Sequence, residues 1–353
     1  MKYIFLFLFS LTCLKVYSEQ KPNILFMMAD DQGWNGLSVQ MHPDMENSKH
    51  PYIQTPVLAK LASQGMRFSN AYAPSPVCSP TRISLQTGKS PAALNWTKAA
   101  KTVNKEANFP LIPPQNIREL PASEITIGEI LQTAGYMTAH YGKWHINGGG
   151  PGKHGYDDHD GDIGNEYAEN YDDPNPADIF GMANRASSFM ARAQKAGKPF
   201  FIQMSFHALH APQNAIKTTV EKYKKLNPKG NEKEIGRAAI SENLDSGVGI
   251  VLDTLKKLGL EKNTYVIYMS DNGSGGKKGP LRGGKGDAWE GGIRSPLIVR
   301  GPGIMSNSWC HERVVGYDWF PTFCRWAGIN NLPNGLEGGD LSRLLASGKN
   351  GKI

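Results

Sequence analysis

Four short apolar runs in this chain end on side chains that could do chemistry. Residues 23–28 lead into Asp30-Asp31, residues 136–141 into Gly142-Lys143-Trp144-His145, residues 199–206 into His207-Ala208-Leu209-His210, and residues 264–270 into Asp271-Asn272-Gly273. Carboxylate and amide oxygens with no Cys/His cluster at metal spacing suit Ca2+ or Mg2+ rather than zinc. Taken singly, an Asp after a strand is as often the cap of the next helix. Its recurrence at one predicted edge, beside imidazoles and a lysine, favours a reactive site. The cysteines add a candidate nucleophile. Of Cys13, Cys78, Cys310 and Cys324, Cys13 falls in a leader, which leaves an odd number, so at least one thiol has a fate other than an internal disulfide.

The elements that must position these residues follow from periodicity. The four runs, with residues 296–299, read as buried strands, since they show little polar alternation. Residues 56–63, 126–134, 183–196 and 235–258 carry apolar side chains at three-to-four spacing and read as helices, with Gly65, Gly135, Gly197 and Gly259 as their stops. Strands alternating with helices imply right-handed parallel crossovers, hence an α/β fold with a mostly parallel central sheet and helices on both faces. In such sheets the site lies at the carboxyl ends of the strands, where the polar residues fall.

Composition agrees. At 353 residues, 39% hydrophobic and 20% charged, the chain suits one large or two smaller globular domains and excludes a disordered, fibrous or multi-span membrane protein. A formal charge of +7 gives a mild bias toward anionic partners. The basic residues are scattered and no nucleic-acid motif is present, so a small or polymeric acidic substrate is the simpler anion. Lys2, an apolar stretch over residues 3–14 and Val16-Tyr17-Ser18 read as a signal peptide over residues 1–18. Cleavage after Ser18 would leave residues 19–353 as one catalytic α/β domain outside the cytoplasm, periplasmic or secreted, with no membrane span.

The segment Cys78-Ser79-Pro80-Thr81-Arg82, continued by Leu85 and Thr87-Gly88-Lys89, carries a family resemblance. With Pro22-Asn23-Ile24 leading to Asp30-Asp31, Gly142-Lys143-Trp144-His145, His210-Ala211-Pro212-Gln213, Ser270-Asp271-Asn272-Gly273, and Gly284-Lys285-Gly286 before Glu290-Gly291-Gly292, the chain resembles the formylglycine-dependent sulfatases of the alkaline-phosphatase superfamily, arylsulfatase type. The blocks stand in the family's order from Pro22 to about Leu345.

The resemblance implies that a maturation enzyme oxidises Cys78 to Cα-formylglycine, whose hydrate attacks the sulfur of a sulfated small molecule or carbohydrate. It implies one Ca2+ held by Asp30, Asp31, Asp271, Asn272 and the modified Cys78. Lys143, His145, His210 and Lys285 would surround the transferred group. Arg82 and Lys143 would balance charge, His210 or Lys285 would protonate the leaving alcohol, and His145 would act in the later step that frees sulfate. Pro80 at a first helical turn would place residue 78 at a helix N-terminus, where backbone N–H groups face an anion.

Other residues carry blander readings. His140, His207 and His311 are taken as structural or supporting, Lys277 and Lys278 as solvated charges, and Asp158, Asp160 and Asp162 as a solvated loop on the substrate side that lacks the rest of an EF-hand pattern. Cys310 and Cys324 either pair or stay as two buried thiols, the second under a helix over residues 318–326. The family's small C-terminal antiparallel subdomain is expected to be missing, since the sequence stops at Ile353. Two other functions stay open: a phosphatase or phosphonate hydrolase on the same fold, and an inactive homologue that binds sulfated glycans. Cys78 favours the sulfatase, because the phosphatase relatives typically have Thr or Ser at that position.

Overall fold

A computed structural model describes residues 20–99, 110–112, 114–274 and 279–347. The expected signal peptide and Lys277 and Lys278 lie outside the described residues. In chain order the strands are β1 (Asn23–Ala29), β2 (Met66–Phe68), β3 (Ala71–Tyr72), β4 (Met137–Gly142), β5 (Asp158–His159), β6 (Phe200–Ser205), β7 (Thr264–Ser270), β8 (Leu297–Arg300), β9 (Ser308–Cys310) and β10 (Val314–Val315). The helices are α1 (Pro56–Ser63), α2 (Cys78–Thr87), α3 (Ile127–Thr133), α4 (Ile179–Lys195), α5 (Lys217–Leu226), α6 (Glu232–Lys257), α7 (Glu290–Ile293), α8 (Trp319–Trp326) and α9 (Ser342–Ser347).

Eight strands form one sheet in the order β5-β4-β6-β1-β7-β8-β2-β9. β1 lies at its centre, parallel to β6 and β7, and all seven of its residues are buried. Its alternation explains the two cores. Leu25, Met27 and Ala29 join the cluster under α1, α4 and α6, whereas Ile24, Phe26 and Met28 join the cluster under α2, α3, α8 and α9. A strand covered on both faces has no solvated side, so it reads as a continuous apolar run. Only β8 departs from parallel pairing, running antiparallel to β7 and β2. Beside the large sheet, β3 and β10 make a two-stranded parallel pair.

Helix ends follow local chemistry. Thr126 with Glu129 and Asn231 with Glu234 build capping boxes on α3 and α6. Gly135, Gly197 and Gly259 follow α3, α4 and α6 at φ of 84°, 64° and 71°, the left-handed stop that glycine adopts without a Cβ clash. Gly65 also follows its helix, α1, for a different reason: a Cβ there would stand 2.3 Å from the Val299 carbonyl oxygen of β8. The expected boundaries move by a few residues, most at α4, which begins at Ile179 rather than 183. The sequence reading does not include α5, whose ten residues are mostly polar, with only Tyr223 buried. Cys310 and Cys324 are both free and buried, so the unpaired alternative holds.

Candidate active site

Parallel pairing brings four strand ends together. β4, β6, β1 and β7 are adjacent in that order, with Gly142 opposite Ser205, Met28 opposite Ser205 and Ala29 opposite Ser270. The residues just beyond these positions must therefore converge. Backbone bonds hold the exits in register: Asp30 N–H donates to Ala208 O (2.9 Å), Leu209 N–H to Asp30 O (2.7 Å), Asp271 N–H to Ala29 O (3.1 Å) and Lys143 N–H to Ser205 O (2.9 Å). Asp31 sits at φ 61°, a left-handed turn that lets its own N–H donate to Asp271 Oδ1 at 3.2 Å. Gly273 is needed where β7 leaves the sheet, since a Cβ would meet Gly291 O at 1.9 Å.

α2 delivers the cysteine. Cys78 is its first residue, and the N-cap, Val77, has no side chain able to accept from the first-turn N–H groups. That end therefore keeps unsatisfied donors and a positive dipole end for an anion. All ten residues of α2 are buried, so the helix is fixed in place. Cys78 Sγ lies 3.5 Å from Asp30 Oδ1. Burial, then the negative charges of Asp30 and Asp271, push its thiol pKa well above the ordinary range. An unmodified thiol here stays protonated and is a poor nucleophile.

Three cations answer three carboxylates. Arg82, one turn after Cys78, donates from Nε (3.2 Å) and Nη2 (2.7 Å) to Asp271 Oδ2, and from Nη1 to Lys143 O (2.5 Å). Lys143 Nζ is bonded to Asp30 Oδ2, and both side chains are fully buried. Lys285 Nζ lies 2.8 and 2.9 Å from the two oxygens of Asp31. Its loop is anchored by Gly286 N–H donating to Pro76 O (2.9 Å), just before α2. Burial would raise the pKa of Asp30, but the Lys143 and Arg82 charges outweigh it and hold that carboxyl far below the usual range. Asp271, penalised first by burial and then by Asp30, is pushed up to about 6. For Lys285 burial acts downward, yet the neighbouring carboxylates Asp31 and Asp30 raise the ammonium pKa.

One carboxylate oxygen from each of Asp30, Asp31 and Asp271, with Cys78 Sγ, lie within 4.8 Å of one another, and all four residues are buried. Asn272 belongs to the group: its Nδ2 donates to Asp31 Oδ1 (2.7 Å) and Gly273 O (2.8 Å), while its buried Oδ1 has no partner. An orphaned amide oxygen beside three converging carboxylates fits a hard divalent cation, which would supply the polar contact that the buried oxygen lacks.

The two expected histidines arrive by different routes. His145 follows β4 at φ 59°, with its N–H donating to Ile163 O (3.1 Å), and it lines a 280 Å³ cleft with Ser79, the residue after Cys78. Burial, then the Lys143 charge, lowers its pKa to about 3, so it is a neutral imidazole near neutral pH. His210 donates Nδ1–H to Ala211 O at 2.7 Å, which leaves Nε2 for proton exchange with a bound molecule. His207, read as structural from sequence, is buried with neither ring nitrogen partnered, its ring 5.6 Å from that of Tyr167. The segment of Asp158, Asp160 and Asp162 makes no ion site. Asp158 pairs with Arg192, Asp160 with Arg185, and Asp162 faces the cleft.

The sulfatase family model matches residues 22–329. The chain belongs to the sulfatase family. It is 31% identical to canine N-acetylgalactosamine-6-sulfatase over 351 residues, 88% of this chain and 63% of that protein. It is 30% identical to human arylsulfatase A, with 92% of this chain and 68% of that protein covered. The chain thus spans about two thirds of the length of these relatives. Among solved structures, that of Ps i-CgsB superposes with a TM-score of 0.79 at 25% identity, over 94% of this chain and 77% of that one. The same protein has been solved in complex with k-i-k-neocarrahexaose. The phosphonate monoester hydrolase of Agrobacterium radiobacter, at 17% identity, a TM-score of 0.66 and coverage of 93% and 77%, shares the fold. No helix among the described residues is long and apolar enough to cross a membrane.

Proposed function

We propose that this sulfatase-family chain hydrolyses sulfate esters of carbohydrates, with Cys78 converted to formylglycine by a separate maturation enzyme and Ca2+ held by Asp30, Asp31, Asp271, Asn272 and residue 78. The observation that carries the reading is the placement of residue 78 at the uncapped N-terminus of α2, within 4.8 Å of three buried carboxylates. A sulfated carbohydrate is favoured by the complex of Ps i-CgsB with an oligosaccharide and by the names of the N-acetylgalactosamine-6-sulfatases. Residues 19–353 are read as one catalytic domain made extracytoplasmic by a signal peptide over residues 1–18.

When present, the ion withdraws charge from the bound ester and the aldehyde hydrate supplies the oxygen nucleophile that a protonated thiol lacks. The chain's own residues do the rest. Lys143 and Lys285 set positive charge on either side of the cluster, where sulfate oxygens would lie. Arg82 bonds Asp271 Oδ2 and so holds that carboxylate in place beside residue 78, where it is the candidate to activate the hydrate. His210 Nε2 and the Lys285 ammonium are the candidate proton donors to the leaving alcohol. The neutral His145, next to Ser79 in the cleft, is the candidate base for the later step.

The test is peptide mass spectrometry across Phe68–Arg82 joined to turnover of 4-nitrophenyl sulfate. Aldehyde at position 78, with turnover lost on chelation, restored by Ca2+ and absent in Cys78→Ala, is expected. Turnover by Cys78→Ala, or stoichiometric zinc with no response to Ca2+, would overturn the reading.

A further inference from the structure

The 280 Å³ cleft that opens beside Ser79 and His145 also meets Trp96, Arg118, Asp162 and Glu166. Its volume is at the small end of the roughly 300–1,000 Å³ found for pockets that take small molecules, so it holds one ring rather than several. Its lining carries two carboxylates, Asp162 and Glu166, and one guanidinium, Arg118. Lys143, Lys285 and Arg82, balanced against Asp30, Asp31 and Asp271, belong to the cluster around residue 78, which a bound divalent cation would make positive. Neither Asp162 nor Glu166 is ion-paired with a described residue, and Arg118 is likewise free of such a pair. The Glu166 carboxylate lies over Gly164, where an added Cβ would stand 2.8 Å from Oε2 and 2.9 Å from Oε1. His145, in the same lining, is neutral and adds no charge.

We propose, resting on the sulfate-ester reading of the site, that this cleft is the subsite for the body of the substrate. Asp162 and Glu166 make it select a single ring that carries hydroxyl donors or an ammonium group and disfavour a ring that carries a second anion. Ionised carboxylates accept hydrogen bonds only, so they are matched by sugar hydroxyls and amines and repelled by a second sulfate or a uronate. The cluster around residue 78 takes the one anionic group, which sets the substrate's direction. Arg118 offsets one carboxylate and limits the preference.

The experiment uses phenyl sulfates with aminomethyl, hydroxymethyl or carboxymethyl at the para position, each rate corrected for phenol acidity with a series of uncharged para-substituted phenyl sulfates. With the formylglycine-containing enzyme, kcat/KM for aminomethyl over carboxymethyl should be about fivefold to tenfold, the size set by two solvent-facing charge interactions of up to about 1 kcal/mol each. The ratio should shrink in 0.5 M salt, fall below one in the double variant Asp162→Asn, Glu166→Gln, which leaves Arg118 unopposed, and widen in Arg118→Ala. A ratio near one in the natural enzyme, or one unchanged in the double variant, would overturn the subsite. Because the readout is a ratio, a general loss of rate in a variant does not disturb it, and the salt series on the natural enzyme needs no variant. Failure to turn over the phenyl sulfates and sugar sulfates alike, with aldehyde confirmed at position 78, would instead defeat the sulfate-ester reading itself.

Discussion

Arg82→Met removes the cation on which the cluster's charge balance depends. Arg82 is 2% exposed and Asp271 is fully buried. Nε and Nη2 both meet Asp271 Oδ2, and Nη1 bonds Lys143 O, so the substitution strands one carboxylate and one carbonyl. Breaking a buried pair by removing one partner typically costs about 3–5 kcal/mol. At roughly 2 °C per kcal/mol for a chain of this size, the thermal midpoint in chelator should fall by about 6–10 °C. Methionine fills much of the aliphatic volume, so the loss reports charge rather than a cavity. With Arg82 gone the cluster is left with one excess negative charge, which a divalent cation can neutralise. Excess Ca2+ at about a hundred times its Kd contributes about 2.7 kcal/mol by mass action alone, and the variant should gain more from it than the natural protein does. Differential scanning calorimetry of both proteins, each in chelator and in Ca2+, measures this directly. The gap between them should narrow in Ca2+. A gap of the same size under both conditions, or no gap in chelator, would refute the placement of the ion against Asp271 and Asp30.

The raised pKa of Asp271 has a pH consequence. A carboxyl whose folded pKa exceeds its unfolded value binds a proton preferentially in the native state, so its contribution to apoprotein stability is present below the unfolded value of 3.8 and is lost as pH rises through about 6. Ca2+ competes with that proton, and the midpoint gain on adding Ca2+ should be larger at pH 7.5 than at pH 5; an equal gain at both would count against Asp271 as a ligand. If His210 protonates the leaving alcohol, His210→Ala should slow sugar sulfates at least tenfold more than 4-nitrophenyl sulfate, whose phenolate leaves with little help. His145→Ala should slow all substrates alike after an initial burst of alcohol release. Equal losses for His210→Ala on both substrates would transfer the acid role to Lys285.

What could be read without coordinates follows from the local character of the signals. β1, β4, β6 and β7 are buried on both faces, so each is a short apolar run with an abrupt polar end, and Asp30, Lys143 and Asp271 stand at those ends because the backbone must leave the sheet there. Cys78 and Arg82 share a helix whose start is marked by Pro80. β2, β3, β5, β9 and β10, at two or three residues each, are too short to show a period, and α5 carries too few apolar residues to announce itself. Tertiary structure alone decided the strand order, the antiparallel setting of β8 and the unpaired state of Cys310 and Cys324. It also decided that His207 is buried with both ring nitrogens free and that Asp162 and Glu166 share a cleft with Ser79. Those facts depend on which segments far apart in the chain come to lie against one another, and on the dielectric each side chain meets there. Residue type and local spacing specify the groups available for chemistry, whereas their separations and protonation states exist only once the sheet has closed around them.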